Sequence, residues 1–456
     1  MNKSLKIIRI ILAALMLLGI TALLLDATGL LRHWLGWMPK VQLLPALLAG
    51  SFGLVAAVLV VTLVIGRFYC AVVCPMGVFQ DIFVWAHKLL FGKKHPYRYR
   101  KPANWLRYTV LVLFVLAMVL GLNSIAVLIA PYSAYARMVT GLHSSGTLQW
   151  VAIVTLVVIG VMSFTMGRLW CNTLCPVGSL LSLVSRYRLF GIRIDADKCV
   201  GCHKCEKGCK AMCIDIDGGK RVDHSRCVDC WNCLATCPVG AISLSGKQKT
   251  ESGKPVDSSR RKFLATTAAV GATMAVQAQE QKLDGGLAAI TGKTVPERKT
   301  PLKPFGSKTL KHFSSHCTSC QLCVSQCPEH VLRPSTRIES LLQPEMSYTD
   351  GYCRTACTRC SEVCPAGAIL PLTKEEKTAI SIGVAIVLKD NCLSATGKDQ
   401  CGACARHCPA AAISMVDGVP SVNEARCLGC GACEYYCPAR PMTAIYVEGR
   451  ETHTEV

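Results

Sequence analysis

Apolar residues dominate four stretches in the first part of the chain, residues 6–25, 43–66, 105–130 and 148–166. An α-helix needs about 20 such residues to cross a ~30 Å hydrocarbon layer. The pattern therefore predicts a four-helix membrane domain over residues 1–192, built as two tandem two-span hairpins. Basic residues fall unevenly between the stretches. Lys3, Lys6 and Arg9 precede the first, and Arg67, Lys88, Lys93, Lys94, Arg98, Arg100 and Lys101 crowd between the second and third. Only Arg32, Lys40 and Arg137 occupy the other two loops. The positive-inside rule places the N-terminus, the 67–104 loop and the chain after 166 in the cytoplasm of a bacterial inner membrane. A signal peptide is the alternative for the first stretch, but no small-residue cleavage site follows Leu25 and three more stretches come after it.

Each hairpin ends in the same string. Gly66-Arg67-Phe68-Tyr69-Cys70-Ala71-Val72-Val73-Cys74-Pro75-Met76-Gly77 recurs as Gly167-Arg168-Leu169-Trp170-Cys171-Asn172-Thr173-Leu174-Cys175-Pro176-Val177-Gly178. Internal repeats build sites where their copies meet. Cys70, Cys74, Cys171 and Cys175 either converge on an additional redox or metal centre or simply end helices as inert thiols.

Beyond residue 192 the apolar runs give way to closely spaced cysteines. Of the 29 cysteines, 24 form six runs of four. Two runs lie at 193–243: Cys199, Cys202, Cys205, Cys209 and Cys227, Cys230, Cys233, Cys237. Four lie at 313–449: Cys317, Cys320, Cys323, Cys327; Cys353, Cys357, Cys360, Cys364; Cys392, Cys401, Cys404, Cys408; and Cys427, Cys430, Cys433, Cys437. Three thiolates two residues apart wrap one part of a [4Fe–4S] cube, while a fourth before Pro reaches another cluster. Zinc and disulfides also use C-x-x-C, yet six tandem runs, five ending in Cys-Pro, point to about six [4Fe–4S] clusters. The expected fold is α+β ferredoxin-like modules attached to the α-helical membrane domain, with much of the folding energy coming from the clusters.

Several positions depart from the regular pattern. Lys210 follows Cys209 where Pro is expected, and Cys213 stands where an Ala packs in the other run, as a small filler or an alternative ligand. Cys199-Val200-Gly201-Cys202-His203 spells a haem-attachment motif, but both cysteines already belong to the cluster spacing, which leaves His203 as a solvated turn residue. Three residues separate Cys353 from Cys357 and eight separate Cys392 from Cys401. Such loops alter cover and hydrogen bonding, and through them cluster potential.

Between the modules, residues 244–312 read as linker. Within it, Ser259-Arg260-Arg261-Lys262-Phe263-Leu264 and the apolar run to Ala278 match a twin-arginine export signal, with Val276-Gln277-Ala278 as a cleavage site. A basic linker beside a small helix is the alternative. Export would put the last module in the periplasm and leave the first in the cytoplasm.

Composition adds little to this picture. The 456 residues are 51% hydrophobic, with mean hydropathy +0.36 and net charge +21. Membrane topology accounts for the basic charge, and no aromatic-interleaved basic helix suggests nucleic acid. No Gly-rich nucleotide fingerprint or catalytic constellation appears. A quinone pocket needs polar groups near the bilayer surface, where Asp26, Asp81, His87, Tyr135 and His143 are candidates.

The order of features resembles a fusion of two accessory proteins of periplasmic nitrate reduction. Residues 1–243, with two C-x-x-x-C-P strings, are similar to the NapH membrane ferredoxins, and more loosely to the NosR regulators and CcoG/RdxA polyferredoxins. The part from Arg260 on resembles the exported NapG and MauM ferredoxins. The resemblance implies a quinol dehydrogenase component that draws electrons from the quinone pool and passes them to a periplasmic cytochrome or reductase. A maturation or redox-regulatory factor for another metalloenzyme is the rival reading, and a third keeps both modules in the cytoplasm.

Overall fold

The computed structural model describes residues 2–26, 28–91, 97–143, 147–246 and 293–456. Lys93, Lys94 and the whole 259–278 segment with Arg260 and Arg261 lie outside the described residues.

Ten of the helices in the first part frame the sites described below. They are α1 (Asn2–Leu25), α2 (Leu43–Leu48), α3 (Phe52–Val64), α4 (Phe68–Val72), α5 (Pro75–Phe91), α6 (Asn104–Val119), α7 (Pro131–Gly141), α8 (Thr147–Met166), α9 (Leu169–Thr173) and α10 (Pro176–Ser185). Among the described residues, Ser4–Leu25 and Leu148–Met166 are long and apolar enough to cross a membrane. The other two predicted stretches are broken. Gly50, at φ +71°, separates α2 from α3, which has 13 residues, and α6 stops after 16, just before Gly121 at φ +78°. Hydropathy does not register such left-handed turns, whereas glycine adopts them without penalty. α1, α4, α5, α7 and α10 pack around one apolar core containing Ile20, Leu23, Met76, Tyr132, Met138 and Leu181.

The two copies of the repeated string fold alike. In each, a five-residue helix (α4 or α9) leads to Cys-Pro, and Pro75 or Pro176 opens a longer helix (α5 or α10). Proline suits that first helical position because its missing N–H has no helical partner there.

The first cysteine-rich module pairs β1 (Phe190–Ile194) with β4 (Ile242–Gly246), Ile192 opposite Leu244, and β2 (Ile214–Asp215) with β3 (Arg221–Val222). The last module has three antiparallel pairs: β5 (Leu332–Pro334) with β6 (Pro344–Met346), β8 (Ile413–Val416) with β9 (Val419–Val422), and β7 (Ile380–Val387) with β10 (Ile445–Glu455). This module is larger than its cysteines suggest. Residues 293–312, expected as linker, belong to it: Leu302 and Phe305 are in its core, Arg298 pairs with buried Glu434, and Thr294 bridges to Met442. β10 also runs past the predicted end at 449.

The modules dock at opposite ends of α1. At its N-terminal end, Arg9 and Arg168 pair with Asp81, which also holds Lys210 of the first module. Arg67 and Arg107 donate to the Ser225 carbonyl of that module. At the C-terminal end, Gln326 of the last module donates to the carbonyls of Leu23 and Asp26. Asn123 bonds the carbonyls of Ser314 and Ser315, and Ser124 that of Glu339.

Candidate functional site

The regular C-x-x-C-x-x-C loop owes its shape to two left-handed residues. Gly201, Asp229, Ser319 and Gly429 precede the second cysteine of four runs, and His203, Trp231, Gln321 and Gly431 follow it, all at φ between +49° and +79°. A left-handed residue on each side of the second cysteine reverses the chain around its sulfurs. At Gly431 no other residue fits, since a Cβ would come within 2.2 Å of the Tyr348 ring. The two irregular runs turn differently: Thr358 after Cys357 has φ −116° and Gly402 after Cys401 has φ −166°.

The fold gathers cysteines from paired runs. One cavity is lined by Cys199, Cys202, Cys205 and Cys237. Its neighbour is lined by Cys227, Cys230, Cys233, Cys209 and Cys213. In the last module Cys317, Cys320 and Cys323 meet Cys364 around a third, and Cys353, Cys357 and Cys360 meet Cys327 around a fourth. Cys392, Cys401 and Cys404 meet Cys437 around a fifth. Cys408 completes the sixth group, close enough to Cys427, Cys430 and Cys433 for their charges to couple. Each group thus joins three cysteines of one run to the last cysteine of its partner.

These cavities fit an iron–sulfur cube and not a single ion. A zinc ion about 2.3 Å from each thiolate would draw the sulfurs to roughly 3.8 Å apart. Among the described residues, the only trio of His, Cys, Asp or Glu ligand atoms within 4.8 Å is His203, Glu206 and Asp217, which contains no cysteine. Walls such as Ile194, Ile216 and Ile242 keep water away. Backbone N–H groups of Ser319, Ile369, Ala412 and Ala444 donate to the sulfurs of Cys317, Cys364, Cys408 and Cys437 at 3.3–3.4 Å. Burial pushes the Cys205 thiol up to about 11 and Cys317 and Cys430 up to about 12. These thiols are protonated at neutral pH, and iron must displace the protons.

The departures from the regular pattern acquire partners. Lys377 Nζ bridges the widened Cys353 loop, donating to Cys353 Sγ at 3.2 Å, Arg354 O at 2.7 Å and Cys357 O at 2.5 Å. Lys210, in place of Pro, ion-pairs with Asp81, and its carbonyl accepts from Arg168 N at 2.9 Å. Burial pushes Lys210 down to about 8, so it stays charged at neutral pH. Cys213 is buried with its sulfur 3.5 Å from Cys209 Sγ. Its hydrogen bond to Cys227, helped by Arg188, holds that thiol below its ordinary value against the cost of burial. Cys213 thus acts on two neighbouring sulfurs, beyond filling space. His203 is less solvated than expected, held between Glu206 at 2.7 Å and Asp217 at 3.3 Å.

The quinone candidates do not converge. Asp26 caps the turn after α1 through the N–H groups of Thr28, Gly29 and Leu31. Burial disfavours the Asp81 carboxylate, but Arg168 and Lys210 hold it well below the usual carboxylate range. His87 lies among Phe91, Phe164 and Tyr97, Tyr135 bonds Thr21 at 2.6 Å, and His143 is exposed.

Sequence reasoning missed Lys377, Gln326 and the clamp that Arg67 and Arg168 form by donating across the repeat to the Cys171 and Cys70 carbonyls. Only the clamp had a signal, the Gly-Arg pair that opens each repeat.

The comparisons with known proteins agree with this chemistry. A 4Fe-4S binding domain matches residues 47–94 and 148–194, a second such domain matches 220–243, and a 4Fe-4S dicluster domain matches 304–368 and 399–440. The chain is 30% identical over 189 residues to the uncharacterized protein MJ0749 of Methanocaldococcus jannaschii, covering 41% of this chain and 68% of that one. It is 32% identical over 144 residues to the methylamine utilization ferredoxin-type protein MauM of Methylobacillus flagellatus, covering 28% and 61%. To the ferredoxin-type protein NapG of Escherichia coli it is 30% identical over 169 residues, covering 35% and 66%. The chain thus spans between 61% and 68% of the length of these relatives. With its cysteine sockets and these matches, the chain belongs to the same family as MJ0749 and carries 4Fe-4S binding domains.

Proposed function

We propose that the chain is a membrane-bound component of a quinol dehydrogenase, passing electrons from quinol through six [4Fe–4S] clusters to a periplasmic cytochrome or reductase. The twenty-four cysteines of the six groups ligate these clusters, three from one run and one from its partner. When bound, the clusters accept and release single electrons. The chain holds the thiolates in place, donates backbone N–H groups to them and keeps water out.

One observation carries this reading: the modules dock at opposite ends of α1, the first through Asp81, which also pairs with Arg9 of that helix, and the last at Leu23. From Arg9 to Leu23 the helix rises about 21 Å, a large part of a hydrocarbon layer. With α1 crossing the bilayer, the first module meets the cytoplasm and the last the periplasm, as the basic loops and the twin-arginine segment suggest. On this reading α3 and α6 complete a four-span domain, their short apolar lengths extended by flanking turns, in a NapH-like part fused to a NapG-like one.

The test is anaerobic mixing of the purified protein in detergent with a reduced menaquinol or ubiquinol analogue. The expected result is bleaching of the cluster absorbance, reversed on adding an oxidised periplasmic cytochrome. Clusters that dithionite reduces but neither quinol touches would overturn the quinol assignment.

A further inference from the structure

The C-x-x-x-C-P cysteines stand outside the six groups. Cys70, Cys74, Cys171 and Cys175 are each at most 4% exposed, deep in the helical domain. Cys175 lies close enough to Cys171, Cys74 and Cys70 for their charges to couple, and Cys74 to Cys70 and Cys171. Each copy of the repeat supplies only two thiols, so neither completes a four-ligand site alone.

The copies are fastened to one another at these cysteines. Arg67 of the first copy donates to the carbonyl of Cys171 at 3.0 Å, and Arg168 of the second donates to that of Cys70 at 2.8 Å. Gly77 and Gly178 let the following helices approach: a Cβ at either would come within 2.2 Å of the Cys70 or Cys171 carbonyl oxygen. The Gly178 N–H, in the first turn of α10, donates to Cys175 Sγ at 3.2 Å, while the Gly77 N–H at the start of α5 donates to the Cys74 carbonyl at 3.1 Å. Helix N-termini aimed at sulfur favour thiolate.

Two further features call for an anionic occupant. Arg67 is fully buried and, among the described residues, forms no ion pair; its acceptors are Asn172 Oδ1, Cys171 O and Ser225 O. A buried cation without a counter-charge is costly. Gln80 is also fully buried, with its amide against the Cys171 thiol. No three of these sulfurs lie within 4.8 Å of one another, which is too open for a single metal ion.

We infer that Cys70, Cys74, Cys171 and Cys175 together ligate a seventh iron–sulfur cluster, shared by the two repeats. Arg67 balances its negative charge, and the Gln80 amide donates to it. Arg168 lies near both Cys171 and Cys230 of the first module, and one continuous core joins Cys70, Cys74 and Cys175 to Cys320 of the last. The centre therefore sits between the modules. In each passage it gains one electron from a neighbouring cluster and loses it to the next, with no bond to substrate.

This role rests on the electron-transfer reading above, but the existence of the cluster does not depend on quinol or sidedness, so either can fail alone. The test is iron and acid-labile sulfide content, with electron paramagnetic resonance, of the anaerobically purified full chain and its Cys74→Ser/Cys175→Ser variant. The expected result is loss of one cluster's iron and sulfide with the other signals unchanged. Unchanged iron in a folded variant, or zinc without extra sulfide in the wild type, would overturn the inference. Arg67→Gln guards against a variant that does not fold. It keeps all four cysteines and is expected to shift one signal to lower potential, and no shifted signal would count against the centre.

Discussion

Replacing Asp81 by Asn tests how the first module is held to the helical domain. Asp81 binds Arg168 at 2.7 Å and Arg9 at 3.6 Å and also pairs with Lys210. The Arg168 side chain is fully buried and that of Lys210 only 4% exposed. Asn keeps the shape but leaves both cations unpaired. Breaking a buried pair costs about 3–5 kcal/mol, and because the Asp81 side chain is 19% exposed the lower end applies. About 3 kcal/mol corresponds to roughly a hundredfold in the opening equilibrium. The Arg168 amide reports it, since its hydrogen bond to Lys210 O forms only when the module is docked. Its exchange with deuterium should accelerate about a hundredfold in the variant. The pH dependence has a definite sign. Because the native carboxyl titrates well below its ordinary value of 3.8, the contribution is fully present above that value and is lost only as pH falls through the depressed one. Wild-type protection, corrected for intrinsic exchange, should therefore be flat from neutral pH down to about 4. A change in stability below about 0.5 kcal/mol, as for an ordinary surface residue, would refute the reasoning. Loss of quinol oxidation with docking intact would instead make Asp81 a proton-handling group.

Other outcomes follow from the cysteine groups. Cys364→Ser should remove the signal of the cluster held with Cys317, Cys320 and Cys323 and spare the one shared by Cys353, Cys357 and Cys360; resonance spectra of the purified variant decide it, and the opposite loss would break the pairing. Lys377→Met takes a charge-assisted hydrogen bond from Cys353 Sγ, worth about 1.5–3 kcal/mol. If all of it acts on the reduced state, that cluster's potential falls by on the order of 60–130 mV in a one-electron redox titration.

Much of the chemistry was legible because it depends on local spacing. C-x-x-C-x-x-C needs only short-range left-handed turns, and Gly201, Gly429 and Gly431 mark several of them. Lys377, twenty-four residues from Cys353 in sequence, and Lys210, 129 from Asp81, make contacts that no local pattern encodes. Residues 293–312 looked like linker because Lys, Thr and Pro dominate them, while the burial of Leu302 and Phe305 depends on β5, β6, β7 and β10 further along the chain. The stretches at 43–66 and 105–130 looked continuous because hydropathy averages over Gly50 and Gly121, where the backbone turns.

The central claim is that electrons pass between two compartments. Protease accessibility of a C-terminal tag in spheroplasts, for the wild type and for Arg260→Lys/Arg261→Lys, tests it most directly. The account predicts digestion in the wild type and protection in the variant, which places the last module outside. Protection in both would contradict it and leave every cluster on the cytoplasmic side.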